Sequence, residues 1–170
     1  MEFEKGYYEF FIDEISKYVD GVNFLNPGIE NMYIEKTELK LKVKLPEEYK
    51  EFLRIYNGGE LFRPGTVLSE IYKNPDDRVR GKYYLNDVFD EKYKIVELAE
   101  NLLFIATMNY GDKICIDMSS SDEIAKIMQW DIQTGEITKK WNSLRDWLSY
   151  CLEIGKMLVD YDGDEKEIDF

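Results

Sequence analysis

The chain has 170 residues, of which 44% are hydrophobic and 34% are charged, and this composition fits one globular domain or two very small ones. Its 35 acidic and 22 basic residues give a net charge of −13, so we expect it to avoid nucleic acid and anionic membranes and to attract basic partners. Histidine is absent, which excludes Ser-His-Asp and Cys-His catalysis and metal sites built on imidazole.

Two cysteines, Cys115 and Cys151, lie far apart in apolar segments, and neither belongs to a CxxC pair. Two thiols cannot form a zinc site alone, so we expect buried, reduced thiols and no metal or other cofactor. The N-terminus carries acidic residues before its apolar ones, unlike a signal peptide, and no apolar run approaches the roughly 20 residues that span a bilayer. These patterns predict a soluble cytoplasmic protein.

The first half of the chain contains two helical patterns and one alternating segment. Aromatic and aliphatic residues at helical spacing between positions 3 and 18 predict a helix that ends near Asp20 and Gly21. Residues 26–28, Asn-Pro-Gly, are typical of a loop. Strict alternation over 39–45 favours a strand with one wet face, and the apolar spacing over 46–56 predicts a helix that begins at Pro46. The Asn-Gly-Gly at 57–59 is typical of a left-handed helix C-cap.

The middle of the chain is less regular. Residues 60–62 are compatible with a short strand, 63–65 and 73–77 with turns, and 77–82 with a charged loop. Residues 86–89 and 95–99 are compatible with short helices.

The second half predicts an antiparallel meander. Strands are expected over 102–108, 113–117, 125–132 and 136–141, with turns at 109–112 and 133–135 and a loop at 119–123. The last helix is expected to begin at Ser143, where Asp146 could complete a capping box. Residues 160–170 hold six acidic residues and one lysine, and we expect them to form a frayed acidic tail. The start of this tail resembles a calcium loop, but it lacks the glycine and the glutamate that such a loop requires.

No arrangement of residues singles out a catalytic site. Asp112, Asp117 and Asp131 lie near predicted strand ends, where paired carboxylates could support hydrolysis, but their spacing does not distinguish them from solvated acids. The glycines at 58 and 59 lack the spacing of a phosphate-binding loop.

Residues 45–59 resemble the hallmark of the SUKH superfamily, which includes the yeast Smi/Knr cell-wall regulators and many bacterial immunity proteins. The hallmark is a Leu-Pro-acid-x-Tyr helix followed by Asn-Gly-Gly. We expect its residues to be structural: Leu45, Pro46, Tyr49, Phe52, Leu53, Asn57, Gly58 and Gly59. Later segments at 104–117, 130–131 and 143–148 resemble the strands and the closing helix of the family, so the resemblance covers about residues 29–154.

The resemblance implies an α+β fold in one domain, residues 1–159, with an antiparallel sheet packed beside helices and an acidic tail at 160–170. It also implies that a helix continues to about Leu41, where the alternating pattern favours a strand, and that Lys42 stands where the family usually has glycine. It implies no catalytic residues.

Three functional hypotheses remain open. The first is a cytoplasmic immunity protein that binds and neutralises a toxin domain, which could be a nuclease, because an acidic surface can occupy a basic cleft. The second is a protein-binding scaffold or regulator of the Smi/Knr type. The third is a small hydrolase that uses carboxylates such as Asp112 and Asp117.

For the binding hypotheses we expect contacts on the exposed sheet face and the loops at its ends. Alternation along the strands predicts that Lys113, Cys115 and Asp117 point away from the core. In the next two strands it predicts a polar face formed by Gln129, Asp131, Thr138 and Lys140. The candidate contact residues for a basic partner are Asp112, Asp117, Asp122, Glu123 and Asp131.

Overall fold

The computed structural model describes residue 3, residues 6–77, residue 79, and residues 83–85, 101–119 and 123–167. Within them lie four α-helices, α1 (Glu9–Ser16), α2 (Asn31–Leu41), α3 (Glu47–Ile55) and α4 (Leu144–Leu158). The strands are β1 (Phe24–Pro27), β2 (Tyr56–Leu61), β3 (Thr66–Leu68), β4 (Leu102–Thr107), β5 (Lys113–Asp117), β6 (Ile127–Trp130) and β7 (Ile137–Trp141). The expected α+β fold with an antiparallel sheet is confirmed. The predictions at 86–89 and 95–99 lie outside the described residues.

The seven strands form one antiparallel sheet whose spatial order, β1 to β7, is the order of the strands in the chain. The meander predicted from residue 102 onwards is therefore confirmed. In the register, Ile116 of β5 lies opposite Leu103 of β4 and Ile127 of β6. These three side chains are almost completely buried, so they lie on the face that packs against the helices.

The alternating segment at 39–45 forms no strand. Helix α2 continues to Leu41, as the family resemblance implies, and Lys42 ends it with a left-handed backbone of φ 54°. The amide of Val43 donates to the carbonyl of Glu38, and the amide of Leu45 donates to the Glu38 carboxylate at 2.8 Å. The alternation of seven residues could not reveal that the helix ends at Leu41. The bonds that cap this end are made by the carboxylate and the carbonyl of Glu38, which an apolar–polar pattern does not report.

The Asn-Gly-Gly segment also differs from its sequence-based prediction. Helix α3 ends at Ile55, and Tyr56 begins β2 directly, so residues 57–59 are strand residues and not a helix cap. A Cβ added at Gly59 would lie 2.1 Å from the carbonyl oxygen of Phe24 in β1. Glycine is required at position 59 because the backbone of β1, which pairs with β2, lies too close to leave room for a side chain. The loop predicted at 26–28 is wrong for Asn26 and Pro27, which belong to β1, whereas Gly28 follows the strand.

The core lies between the sheet and helices α1, α3 and α4. Phe11 of α1 and Phe52 of α3 pack edge to face with ring centroids 5.7 Å apart. Leu148 of α4, Ile114 of β5 and Phe11 have no exposed surface. The N-terminal helix is shorter than predicted, since α1 spans only Glu9–Ser16.

Residues 160–167 are folded, so the expectation of a frayed tail is wrong for this part of the chain. Val159 and Glu165 form a β-bridge, and the carbonyl of Tyr161 accepts a hydrogen bond from the amide of Val19 at 2.8 Å. Among the described residues no cluster of acidic or thiol side chains is suited to hold a metal ion. No helix in the described part of the chain has the length and apolarity needed to cross a membrane.

Candidate partner-binding surface

The sheet face away from the helices, called the outer face below, contains one row of residues that crosses all seven strands. Each member lies opposite the next in the antiparallel register, so their side chains share one face. The row consists of Phe24, Glu60, Val67, Thr107, Lys113, Trp130 and Ile137.

The centre of the outer face is buried, contrary to the prediction of an exposed polar face. Lys113 is 4% exposed and Cys115 is 0% exposed. The ammonium of Lys113 donates to the Thr107 hydroxyl at 2.9 Å and lies 4.4 Å from the centre of the Tyr83 ring. Burial lowers the pKa of this lysine, because its charged form loses solvation. The centre therefore offers little surface to a partner.

Gln129 lies on the helix face and not on the outer face, as its position opposite Ile114 in β5 shows. Its side-chain amide donates to the Asp112 carboxylate at 2.9 Å and to the Tyr110 hydroxyl at 3.2 Å. In β6 the residues that face the helices are Ile127 and Gln129, opposite Ile116 and Ile114 of β5, so the prediction that Gln129 points outward is wrong.

The candidate contact residues do not form one cluster. Asp112 is 8% exposed, and its carboxylate accepts hydrogen bonds from Gln129 and from the amide of Ile132. Asp117 lies at the other end of β5 and points to the other face, so these two acids cannot face each other across a substrate. The geometry thus excludes Asp112 and Asp117 as a catalytic pair of carboxylates.

Among the described candidates, Asp117 is the last residue of β5, and Glu123 and Asp131 lie in the connections that follow β5 and β6. Asp117 accepts hydrogen bonds from the hydroxyl and amide of Ser119, and the hydroxyl bond lowers the pKa of its carboxyl group. Asp131 uses its carboxylate to hold the turn after β6, by accepting from the amides of Gln133 and Thr134. Glu123 is exposed, and Asp122 lies outside the described residues.

Sequence reasoning missed a groove of about 370 Å³ on the outer face of β1, β2 and β3. Phe24 and Tyr83 line it with 57% and 43% of their surfaces exposed, and Val67 forms part of its floor. The Glu60 carboxylate in the groove pairs with Arg63 at 3.0 Å. The groove could not be predicted because residues 26–28 are typical of a loop, whereas β1 forms one wall.

The residues of the SUKH hallmark are mostly buried in the core. Leu45, Tyr49, Phe52 and Leu53 are each at most 3% exposed. The side chain of Asn57 both donates to the carbonyl and accepts from the amide of Ile71, at 2.9 and 2.8 Å. This pair of bonds joins β2 to the chain that follows β3.

Glu48, within the same motif, is a structural residue that sequence reasoning missed. Its side chain is completely buried, although it carries a carboxylate. The carboxylate accepts hydrogen bonds from the Tyr7 hydroxyl at 2.6 Å and from the amides of Ala125 and Leu144 at 3.0 and 2.9 Å. It thereby satisfies an amide at the start of α4, where the helix dipole favours a negative charge. Nothing in the local pattern distinguished Glu48 from the neighbouring Glu47.

Both cysteines are free thiols, as expected. Burial raises the pKa of Cys115 to about 12 and that of Cys151 to about 12, so neither forms a reactive thiolate at neutral pH.

Comparison with known proteins places this fold in a family. A solved structure of a protein from Pseudomonas syringae pv. tomato is similar, with a TM-score of 0.59 and 16% sequence identity. The alignment covers 83% of this chain and 95% of that one, and at this identity it shows a shared fold. No curated protein matches the chain. The sequence profile of the SMI1 / KNR4 family (SUKH-1) matches residues 28–150, which is most of the chain, and the protein therefore belongs to the SMI1/KNR4 family.

Proposed function

We propose that this protein is a cytoplasmic immunity protein that binds a toxin domain and neutralises it without catalysing a reaction. The observation that carries the proposal is a net charge of −13 on a member of the SUKH-1 family. A toxin that cleaves nucleic acid must bind a polyanion through lysine and arginine, and an acidic protein can occupy that basic cleft. The opposite charges would also accelerate encounter between the two proteins.

The proposed contacts lie at the ends of the sheet, at Asp117, Glu123 and Asp131. These acids are at least partly exposed, whereas Asp112 is buried and bonded within the domain. Asp112 is therefore better explained as a support for the β4–β5 turn than as a contact to a partner.

The test is co-expression with the toxin domain encoded in the gene beside this one. Cells that carry both proteins should survive, and the purified pair should bind with an association rate that falls as salt rises. The proposal fails if the toxin domain kills cells at the same dose with and without this protein. It also fails if no toxin is encoded nearby.

A protein-binding scaffold of the Smi/Knr type is the second candidate, because the matching family includes those regulators. A gene without a toxin neighbour, together with reproducible binding to one protein of the host cell, would favour this function over immunity. Both candidates require a binding surface and no catalytic group.

A further inference from the structure

We infer that a groove at the C-terminal end of the domain binds a segment of the toxin domain that combines apolar and basic side chains. This inference rests on the proposed function and adds a second contact region to the acids proposed above at the ends of the sheet, none of which lines the groove. The groove, called the flank groove below, has a volume of about 680 Å³. It lies between residues 19–22, which follow α1, the β2–β3 turn, the end of α4 and the folded tail.

The tail forms a fixed wall of the flank groove. The carboxylate of Asp160 accepts hydrogen bonds from the amides of Asp162 and Asp164, each at 3.0 Å. The Tyr161 hydroxyl donates to the Glu14 carboxylate of α1 at 3.0 Å. Because these bonds hold the tail against α1, a partner would meet a preformed surface and would not have to order the tail.

The floor and the surrounding surface of the groove are apolar and exposed. Val19 and Leu158 line the groove, with 49% and 41% of their surfaces in solvent. Ile154, Met157 and Tyr161 on the adjacent surface are also exposed, by 38%, 59% and 45%. Such a concentration of large apolar side chains within two short stretches of chain is typical of an interaction site.

The charge on the groove selects a basic occupant. Asp20, Asp162 and Glu165 line it, and their carboxylates form no ion pair or hydrogen bond within the described part of the chain. Of the two basic residues of the lining, Arg63 pairs with Glu60, whereas the ammonium of Lys166 donates to the uncharged carbonyl of Lys156 and keeps its charge. The three acids therefore outnumber the one basic residue whose charge is not paired. The acids are thus available to lysine or arginine, while an anionic membrane or nucleic acid would be repelled.

The position of the groove explains how one fold could serve different partners. The family profile ends at residue 150 and begins at residue 28, so α1, the end of α4 and the tail lie outside it. Of the groove lining, only the β2–β3 turn belongs to the matched region. Segments added to a shared core therefore build the surface to which we assign partner recognition.

The decisive experiment compares two double variants of equal charge change. The first variant, Asp162→Lys with Glu165→Lys, reverses the charge of two acids that line the flank groove. The second, Glu35→Lys with Asp76→Lys, reverses the charge of two exposed acids elsewhere on the surface. Binding to the toxin domain of the neighbouring gene is measured by calorimetry, and protection by co-expression. We expect the groove variant to weaken binding by about 100-fold and the control by less than about fivefold. Equal effects of the two variants would overturn the inference.

A second variant tests the apolar floor. Replacing Val19 and Leu158 by Gln keeps the charge and should weaken binding by about tenfold. Circular dichroism confirms that each variant is folded. Unchanged binding by this variant would contradict the assignment of the floor to the partner.

A peptide experiment separates failure of the inference from failure of the proposed function. A 15-residue peptide of leucine and lysine is titrated into the isotope-labelled protein, with a leucine–glutamate peptide as control. We expect amide shifts at residues 19–22 and 158–166 with the basic peptide only, and their loss in the groove variant. Shifts spread over the whole acidic surface would overturn the inference. If the peptide binds as expected but the toxin domain does not, the proposed function fails and the groove remains a site for basic segments.

Discussion

Two acidic regions of this protein use their carboxylates in opposite ways. In α3, Glu48 is buried and holds the start of α4, while Glu47 and Glu51 both pair with Arg54 at 2.8 Å. In the tail, Asp162 is exposed and its carboxylate has no partner among the described residues. The charge of −13 therefore combines acids that hold the fold with acids whose carboxylates are exposed to solvent. Burial and hydrogen bonds distinguish them, and composition does not.

The largest expected effect is in α3. Replacing Glu48 by Ala leaves the amides of Ala125 and Leu144 buried without an acceptor, and we expect a loss of about 3–5 kcal/mol in the free energy of unfolding. Replacing Glu47 by Ala removes partly exposed ion pairs and should cost about 1 kcal/mol or less. Urea denaturation measures both. Equal losses of unfolding free energy in the two variants would contradict the conclusion that Glu48 stabilises the fold far more than Glu47.

The next effect tests the hydrogen bonds of the hallmark asparagine. Replacing Asn57 by Ala removes both of its bonds to the backbone of Ile71, so we expect a loss of about 2–3 kcal/mol. The exposed Asn142, replaced by Ala, is the matched control and should change stability by about 0.5 kcal/mol or less. A loss below 1 kcal/mol at position 57 would show that the motif serves something other than the fold.

A smaller effect is expected where the tail meets α1. Burial of the Glu14 carboxylate opposes its ionisation, but hydrogen bonds from Lys17, Tyr161 and Lys156 outweigh burial and lower its pKa below the ordinary 4.5. Its contribution is therefore fully present above about pH 4.5 and is lost as the pH falls through the lowered pKa. Glu14→Gln should cost about 1–2 kcal/mol at pH 7.

The pH dependence provides the check on this assignment. The difference in unfolding free energy between the native protein and Glu14→Gln should shrink as the pH falls below 4.5. Thermal denaturation at pH 7 and at pH 3.5 measures it. A difference that stays constant with pH would show that the variant acts through packing and not through the charge.

The smallest effect on stability is expected in the tail. The paired replacements Asp162→Lys and Glu165→Lys should change the free energy of unfolding by about 0.5 kcal/mol or less, because both side chains are exposed. The same variant is expected to have a large effect on partner binding. A loss above 1 kcal/mol in the free energy of unfolding would show that these acids stabilise the fold, as the acids of α3 do.

The elements with strong periodicity were predictable, and those that depend on contacts distant in sequence were not. Ser143 caps α4 as expected, and its hydroxyl accepts from the amide of Asp146 at 3.0 Å. The apolar run over 102–108 correctly predicted a strand, which spans Leu102–Thr107. Both signals are local, because a cap and an apolar run depend on neighbouring residues.

The site was less predictable than the fold. Asp112 and Asp117 were equivalent candidates in the sequence, but the alternation of β5 and the position of Gln129 bury the first and leave the second partly exposed. The flank groove joins positions 19 and 158, which are brought together by the packing of α4 and the tail against α1 and the residues that follow it. No pattern within one segment could indicate such a surface.

The sequential order of the strands has a consequence for folding. Four of the six strand pairings are hairpins whose two strands are connected by short loops. The β1–β2 and β3–β4 pairings instead join residues that are distant in sequence, such as Val67 and Thr107. These two closures should limit the folding rate, since contacts distant in sequence form slowly. The entropy of loop closure rises only with the logarithm of length. Additional residues between Leu68 and Leu102 would therefore slow folding only slightly and leave the strand order intact.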